Sequence, residues 1–251
     1  MALNQKIVKL MKSTLKRMSI AISLSVAIVL SSCTTTMSGE QKKESRNVED
    51  FNAIELSIAA DVYLTQGEGY SFTIEGDKDY LEKVVTEVRG NTLVIKTENW
   101  VSFGFSNLEV KVYITMPEVE GLSISGSGDI KAVTPINAHD LTIKISGSGD
   151  VLIPQLAINS LSASISGSGD VEVSGEGSST SAKVRITGSG DVSLKGIRFQ
   201  DADISISGSG DAFLHATENL NARVVGSGDI VYAGNPLVDA KVSGSGTIKN
   251  K

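Results

Sequence analysis

Leu141-Thr142-Ile143-Lys144-Ile145-Ser146-Gly147-Ser148-Gly149-Asp150-Val151-Leu152 is the stretch that decides the fold. Apolar residues alternate with polar ones up to Ile145, which is the pattern of a strand with one face in a core. Gly147-Ser148-Gly149-Asp150 then interrupts the run, and Val151-Leu152 resumes it. The same unit recurs along the chain. Its tetrads are Gly126-Ser127-Gly128-Asp129, Gly147-Ser148-Gly149-Asp150, Gly167-Ser168-Gly169-Asp170, Gly188-Ser189-Gly190-Asp191, Gly208-Ser209-Gly210-Asp211, Gly226-Ser227-Gly228-Asp229 and, with its aspartate lost, Gly244-Ser245-Gly246-Thr247. The steps are 21, 20, 21, 20, 18 and 18 residues. A fixed period of this size marks a stacked repeat whose units bury their apolar faces against neighbours.

The paired glycines suit a sharp corner, because glycine reaches positive φ without the ~1–2 kcal/mol penalty that other residues carry there. The serine and aspartate can bond nearby backbone N–H groups, so each carboxylate is expected to accept from its own corner. In the unit that leads into Gly208, Ile204 and Ile206 are expected to point inward while Ser205 and Ser207 point outward. A unit this long holds two or three short strands, one turn of a β-solenoid, and is too short for a propeller blade of about 40–45 residues. A stack of hairpins is the competing architecture. The regular period and the unequal half-repeats favour the parallel β-helix, with turns ~4.8 Å apart.

Ile54 to Leu64 repeats the alternation around Ala59-Ala60-Asp61 with alanine in place of glycine, and reads as the start of the same solenoid. Apolar residues at Leu81, Val84, Val85 and Val88 have helical spacing, with Asp79 and Glu82 at capping-box positions, so a short helix is expected over 79–88. Gly90-Asn91 follows as a turn, then strands over 93–97 and 108–115. The terminal tetrad without aspartate fits an atypical capping repeat.

Residues 1–32 read as a signal peptide rather than as part of the fold. Lys6, Lys9, Lys12, Lys16 and Arg17 precede an eleven-residue apolar run, Ile20 to Leu30, that is short for a membrane span. Met11 offers a second start with a more ordinary basic region. Leu30-Ser31-Ser32-Cys33 resembles the lipobox of bacterial lipoproteins, and Cys33 is the one cysteine among 251 residues. The expected anchor is therefore a lipid on Cys33, in the cell envelope and at the outer membrane. Residues 33–47 are polar and aperiodic and read as a flexible tether, with a single domain over 48–251. The signal removes five of 23 basic residues and none of the 29 acids, which leaves 18 against 29, or −11. Such a balance disfavours nucleic acid as a partner.

Taken together, the lipobox, Phe51-x-x-Ile54, Asp61-Val62-x-Leu64, the block from Leu81 through Thr86-Glu87-Val88 to Leu93-x-Ile95, Val112-x-Ile114-x-x-Pro117 and the serial Ser-Gly-Ser-Gly-Asp motifs resemble a bacterial family. It is called putative auto-transporter adhesin, head GIN domain. The resemblance spans residues 48–251. It implies a right-handed parallel β-helix, common in Bacteroidetes and exported, and it carries over no catalytic residue.

Three features are candidates for chemistry. The aspartates Asp129, Asp150, Asp170, Asp191, Asp211 and Asp229 should form a column, and carboxylates ~5 Å apart repel by about 0.8 kcal/mol in water. Structural corners are the main reading, with weak Ca²⁺ binding by the column as the alternative. Trp100, Phe103 and Phe105 fall within six positions. They read either as a cover for the domain's own core or as a hydrophobic tip for a glycan, a surface protein or lipid. Catalysis has little to work with. His139 and His215 are 76 residues apart, no nucleophile elbow exists, and each tetrad leads into a strand without the lysine of a phosphate loop. The expectation is a non-catalytic adhesin-like or structural module without cofactor. A carbohydrate-active enzyme on a β-helix is the alternative.

Overall fold

A computed structural model describes residues 39–98 and 109–251. It is mostly strand (67%), with one short helix and a parallel β-solenoid of about six turns. The hairpin stack is thereby set aside: every pairing between successive repeats is parallel. The first turn is built from β2 (Ala53–Leu56) and β3 (Asp61–Gln66). The next turn, β8 (Gly121–Gly126) and β9 (Asp129–Ala132), lies on it with Leu56 beside Ile124 and Asp61 beside Asp129. The alanine-containing corner at Ala59-Ala60 is thus the first of the series.

Later turns follow the same scheme. One face stacks β11 (Asp140–Gly147), β14 (Ser160–Gly167) and the C-terminal parts of β16 (Gly177–Gly188), β17 (Val192–Gly208) and β18 (Ala212–Gly226), and ends on β20 (Leu237–Gly244). A second face beyond the corner stacks β12 (Val151–Ile153), β15 (Val171–Val173), the starts of β17 and β18, β19 (Ile230–Ala233) and β21 (Ile248–Asn250). A third begins with the small ladder of β10 (Ile136–Asn137) on β13 (Leu156–Ala157). Between β17 and β18 the register shifts twice, between Ser193 and Arg198 and between Phe199 and Asp201. That irregularity absorbs the drop from 20-residue to 18-residue repeats, so corners stay in line while a connecting side shortens.

The inward alternation fills the solenoid. Ile124, Ile145, Ile165, Ile186 and Ile206 form one buried column, continued by Val224. A second runs Ile130, Val151, Val171, Val192, Ala212 and Ile230. Each turn buries apolar area against the next at roughly 25 cal/mol per Å², so stability accumulates along the stack. β20, the last strand of its face, lacks such cover among the described residues: Leu237 is 78% exposed, and Val238 and Val242, which occupy inward register positions, are each 43% exposed.

The N-terminal end is closed differently. β6 (Thr92–Thr97) and β7 (Lys111–Met116) lie parallel to β2 and β3. β4 (Ser71–Asp77) runs antiparallel to β7, and β5 (Val84–Arg89) forms an antiparallel hairpin with β6 around Gly90, whose φ is +62°. The helix expected over 79–88 is only α1, Lys78–Leu81. Its N-cap is Asp77, which accepts from the Tyr80 N–H at 3.1 Å, rather than Asp79. The β-branched Val84, Val85 and Thr86 favour a strand and pair with β6 instead of prolonging the helix.

The tether also ends earlier than expected. Gln41–Ser45 is β1, antiparallel to β4 with Gln41 beside Asp77 and Ser45 beside Thr73. Arg46 fastens the segment. Its guanidinium reaches Glu44 Oε1 (2.9 and 2.7 Å), the carbonyls of Val84 (2.5 Å) and Leu81 (3.0 Å), and Thr86 Oγ1 (2.8 Å). Nothing in the polar alternation of Gln41-Lys42-Lys43-Glu44-Ser45 announces a strand. It is recruited because β4 presents an open edge.

Candidate functional site

The corners are where the sequence concentrates its unusual residues, and the two glycines of each tetrad differ in role. The first has positive φ: +151° at Gly126, +144° at Gly147, +145° at Gly167, +127° at Gly188, +142° at Gly208, +129° at Gly226 and +131° at Gly244. The second is not in that region. A Cβ on Gly149 would lie 1.9 Å from the carbonyl oxygen of Gly128 and 2.9 Å from Ile124 Cγ2. Gly169, Gly190, Gly210, Gly228 and Gly246 meet the same obstruction at 2.0–2.1 Å. The second glycine therefore lets one turn rest on the next, while the first also sets the bend. The sequence pattern alone does not separate these demands.

The serines act through their backbone. Ser148 N–H donates to the Gly126 carbonyl at 2.9 Å, and Ser168 N–H to that of Gly147 at 2.9 Å. The side chains of Ser127, Ser148, Ser168, Ser189, Ser209, Ser227 and Ser245 are left exposed.

The aspartates form the expected column, but their bonding runs between turns rather than within a corner. Oδ1 of Asp129 accepts the Asp150 N–H at 3.0 Å, Asp150 that of Asp170 at 2.9 Å, and Asp170 that of Asp191 at 2.8 Å. Asp191 accepts from Asp211 at 2.7 Å and Asp211 from Asp229 at 2.8 Å. Asp229 ends the series by accepting both the N–H (2.8 Å) and the hydroxyl (2.9 Å) of Thr247. A charged acceptor meeting a backbone donor makes a strong hydrogen bond, and this one is repeated at every joint from Asp129 to Thr247, whereas at the first joint the Asp129 N–H donates to the Ala60 carbonyl at 2.9 Å.

Lysines sit at both ends of the column. Lys131 Nζ lies 2.8 Å from Asp61 Oδ1 and 3.3 Å from Asp129 Oδ2, and Lys249 Nζ lies 3.3 Å from Asp229 Oδ2. The Asp61 bond, seconded by Asp129, holds the Lys131 ammonium above the ordinary lysine range. The Thr247 hydroxyl and N–H, aided by Lys249, hold the Asp229 carboxyl below the usual aspartate range. Asp150, Asp170, Asp191 and Asp211 have no cationic partner among the described residues. Their carboxylates are strung along the axis, not gathered around a point. Among the described residues, no three His, Cys, Asp or Glu side chains come together as a metal set would require.

Depressions among the described residues include one of about 260 Å³ at the exposed end of the stack, lined by Leu220, Leu237, Val238 and Asp239, and two others. One, of about 160 Å³, lies at the first corners between Ala60, Asp61, Gly128 and Asp129. The other, of about 360 Å³, is lined by Phe213, Leu214, Val231 and Tyr232 with Lys195 and Lys251 beside them. Lys195 Nζ sits 4.2 Å from the Phe213 ring centroid. His139 is on the surface near Asp140, Nε2 to Oδ2 3.9 Å, and His215 is on β18. Cys33 and the cluster of Trp100, Phe103 and Phe105 lie outside the described residues. Among the described residues, no helix is long and apolar enough to cross a membrane.

These features define a class: a parallel β-solenoid whose corners are locked by glycine packing and an inter-turn aspartate ladder. The chain belongs to the family described as putative auto-transporter adhesin, head GIN domain, whose model matches residues 50–236. Similar solved structures include one described as a putative adhesin from Bacteroides fragilis, 28% identical, covering 84% of this chain and 97% of that one, with a TM-score of 0.76. A putative lipid binding protein from Parabacteroides distasonis shares the fold at 24% identity, with coverage of 85% and 97% and a TM-score of 0.69. A putative adhesin from Parabacteroides merdae does so at 23% identity, 85% and 97% coverage and a TM-score of 0.65. No curated protein matches the chain.

Proposed function

We propose that this protein is a lipid-anchored, exported adhesin-like module of the cell envelope, held at the outer membrane through Cys33 and acting by binding rather than catalysis. The observation that carries the reading is the use made of the corners. The repeated aspartates, which are the obvious candidates for acid–base work, are engaged joint by joint in holding the stack together. Membership of an adhesin family supports the binding role. A rigid rod on a lipid-anchored leader suits presentation of a long surface to a glycan or a surface protein. No cofactor enters this reading.

The experiment is fractionation of cells expressing the wild type and Cys33→Ser, together with binding of the purified chain to an array of glycans and matrix proteins. Wild type should stay with membranes and resist extraction into buffer, because stable anchoring takes two lipid signals. Cys33→Ser should leave the membrane fraction or retain its leader. Wild type released by buffer alone would remove the anchor from the proposal, and a blank array would remove the adhesin.

A further inference from the structure

We propose that the outer face of the solenoid carries a cationic row, Lys144, Arg185, Arg223 and Lys241, that binds an acidic polysaccharide lying along the solenoid axis. The inference rests on the adhesin reading and names its ligand class.

The row follows from register. On the face ending in β20, one outward column runs Ser123, Lys144, Ser164, Arg185, Ser205, Arg223 and Lys241, each beside the next in parallel pairing. The four cations are exposed, and none takes part in an ion pair among the described residues. Lys144, Arg185 and Arg223 are separated by two turns each, ~10 Å at the usual strand spacing. Serine fills the turns between them. Lys241 follows one turn after Arg223.

The flanks are selective. Toward the corner, the next column is Ser125, Ser146, Ser166, Thr187, Ser207, Val225 and Ser243, and beyond it stand the exposed tetrad serines. Neither column contains a carboxylate. On the other side Lys183 and Asp203 are register partners, which sets opposite charges side by side, and Asp239 lies further along. The row itself ends at Glu55, beside Ser123. On a chain whose part beyond residue 32 carries −11, this carboxylate-free band, bounded at the corner by the aspartate column and holding four cations unpaired among the described residues, is a local reversal of sign.

The spacing selects among anions. A pyranose unit in an extended chain advances by roughly one turn of the solenoid, so a polymer charged on every second sugar places its charges on Lys144, Arg185 and Arg223. Intervening uncharged sugars meet the serine positions, and the hydroxyl band offers donors and acceptors for sugar hydroxyls. A folded protein partner would not be expected to present such a straight, periodic array. Exposed ion pairs are individually weak and salt-sensitive, so affinity must come from several aligned contacts.

The test is binding of the full chain to immobilised hyaluronan oligosaccharides, which carry one carboxylate per disaccharide, with neutral dextran and poly-glutamate as comparison probes. Wild type should bind hyaluronan, lose about tenfold affinity between low and physiological salt, and leave dextran and poly-glutamate unbound. A Lys144→Gln, Arg185→Gln, Arg223→Gln variant should melt like wild type and bind at least tenfold more weakly. Removing three cations elsewhere, in Lys43→Gln, Lys78→Gln, Arg89→Gln, should change binding less than twofold. Absence of wild-type binding, equal loss in both triple variants, or equal binding of poly-glutamate would each overturn the row. If the row fails while the array records another ligand that the triple variant still binds, the adhesin reading stands. If both are blank, it falls as well.

Discussion

The backbone N–H of Asp170 donates to Oδ1 of Asp150 at 2.9 Å, and Asp170 in turn accepts from Asp191 at 2.8 Å. Each interior aspartate, Asp150 to Asp211, is therefore donor to one neighbour and acceptor for the next. Column repulsion of under 1 kcal/mol per pair in water is set against a charge-assisted bond of similar or larger size at each joint.

Asp170→Asn should be mild, because an amide oxygen can still accept the Asp191 N–H, and one like-charge contact on each side disappears. Asp170→Ala removes the acceptor and should cost about 1 kcal/mol. Urea melts give the totals, and hydrogen exchange locates them: the Asp191 amide should lose protection in the alanine variant and keep it in the asparagine one. Equal protection in both would remove the ladder as a source of stability.

Calcium is expected to be a bystander. The carboxylates lie in a line with one oxygen already engaged, whereas a tightly held Ca²⁺ needs six to eight oxygens around one point. A site filled at a hundredfold excess over Kd would stabilise the fold by about 2.7 kcal/mol. Melts in millimolar calcium and in chelator should coincide. A rise of many degrees that Asp170→Asn abolishes would establish the column as a cation site.

The two glycine roles give an ordered set of costs. Gly126→Ala meets open space and bears only the positive-φ penalty, about 1 kcal/mol. Gly147→Ala has the same backbone strain and a Cβ 2.2 Å from the Gly126 carbonyl oxygen, which brings the expected cost to about 2–4 kcal/mol. Gly149→Ala has the collision without the φ and should fall between them. Urea denaturation of the three variants checks the order. Gly126→Ala costing as much as Gly147→Ala, and more than Gly149→Ala, would mean that bending, not close stacking, dominates the corner.

The solenoid was legible because its signals are local and repeated: Leu141 to Ile145 alternates, Gly147 breaks the run, and the same pattern returns six more times. The N-terminal cap was less so. Leu81, Val84, Val85 and Val88 satisfy a helical spacing, yet the β-branched residues among them pair with Thr92–Thr97 once that strand is beside them. Gln41–Ser45 carries no apolar alternation at all, since its reason for being a strand is the edge of β4. The aspartate column could be foreseen from periodicity. The direction of its hydrogen bonds could not, because acceptor and donor belong to residues about 20 positions apart.

Arg46 should matter more than its place in a polar leader suggests. Its guanidinium joins Glu44 to two carbonyls and a hydroxyl at the end of α1 and the start of β5. Hydrogen bonds involving a charged group are worth about 1.5–3 kcal/mol, so Arg46→Ala should cost about 2 kcal/mol. Arg46→Lys should recover only part, since an ammonium cannot reproduce the fork. Limited proteolysis should cut the alanine variant near residues 41–45 before any other site. Unchanged protease resistance would show that β1 is held by its ladder with β4 alone.

Acid should loosen the C-terminal end through Asp229. Its carboxyl accepts the Thr247 hydroxyl and N–H and lies near Lys249, and these hold it ionised below the usual aspartate range. A carboxyl depressed in the folded state contributes stability above its unfolded value and loses it as pH falls through the folded one. The contribution should therefore be intact at neutral pH and vanish below the ordinary aspartate range, not near pH 6. Hydrogen exchange of the Thr247 amide should accelerate over that acid window. NMR titration should place the Asp229 midpoint below that of an unperturbed aspartate. Thr247→Val, which keeps the N–H but lacks the hydroxyl that is the largest cause of the shift, should move the midpoint upward. A midpoint that does not respond to this substitution would show that Thr247 does not secure the last joint through Asp229.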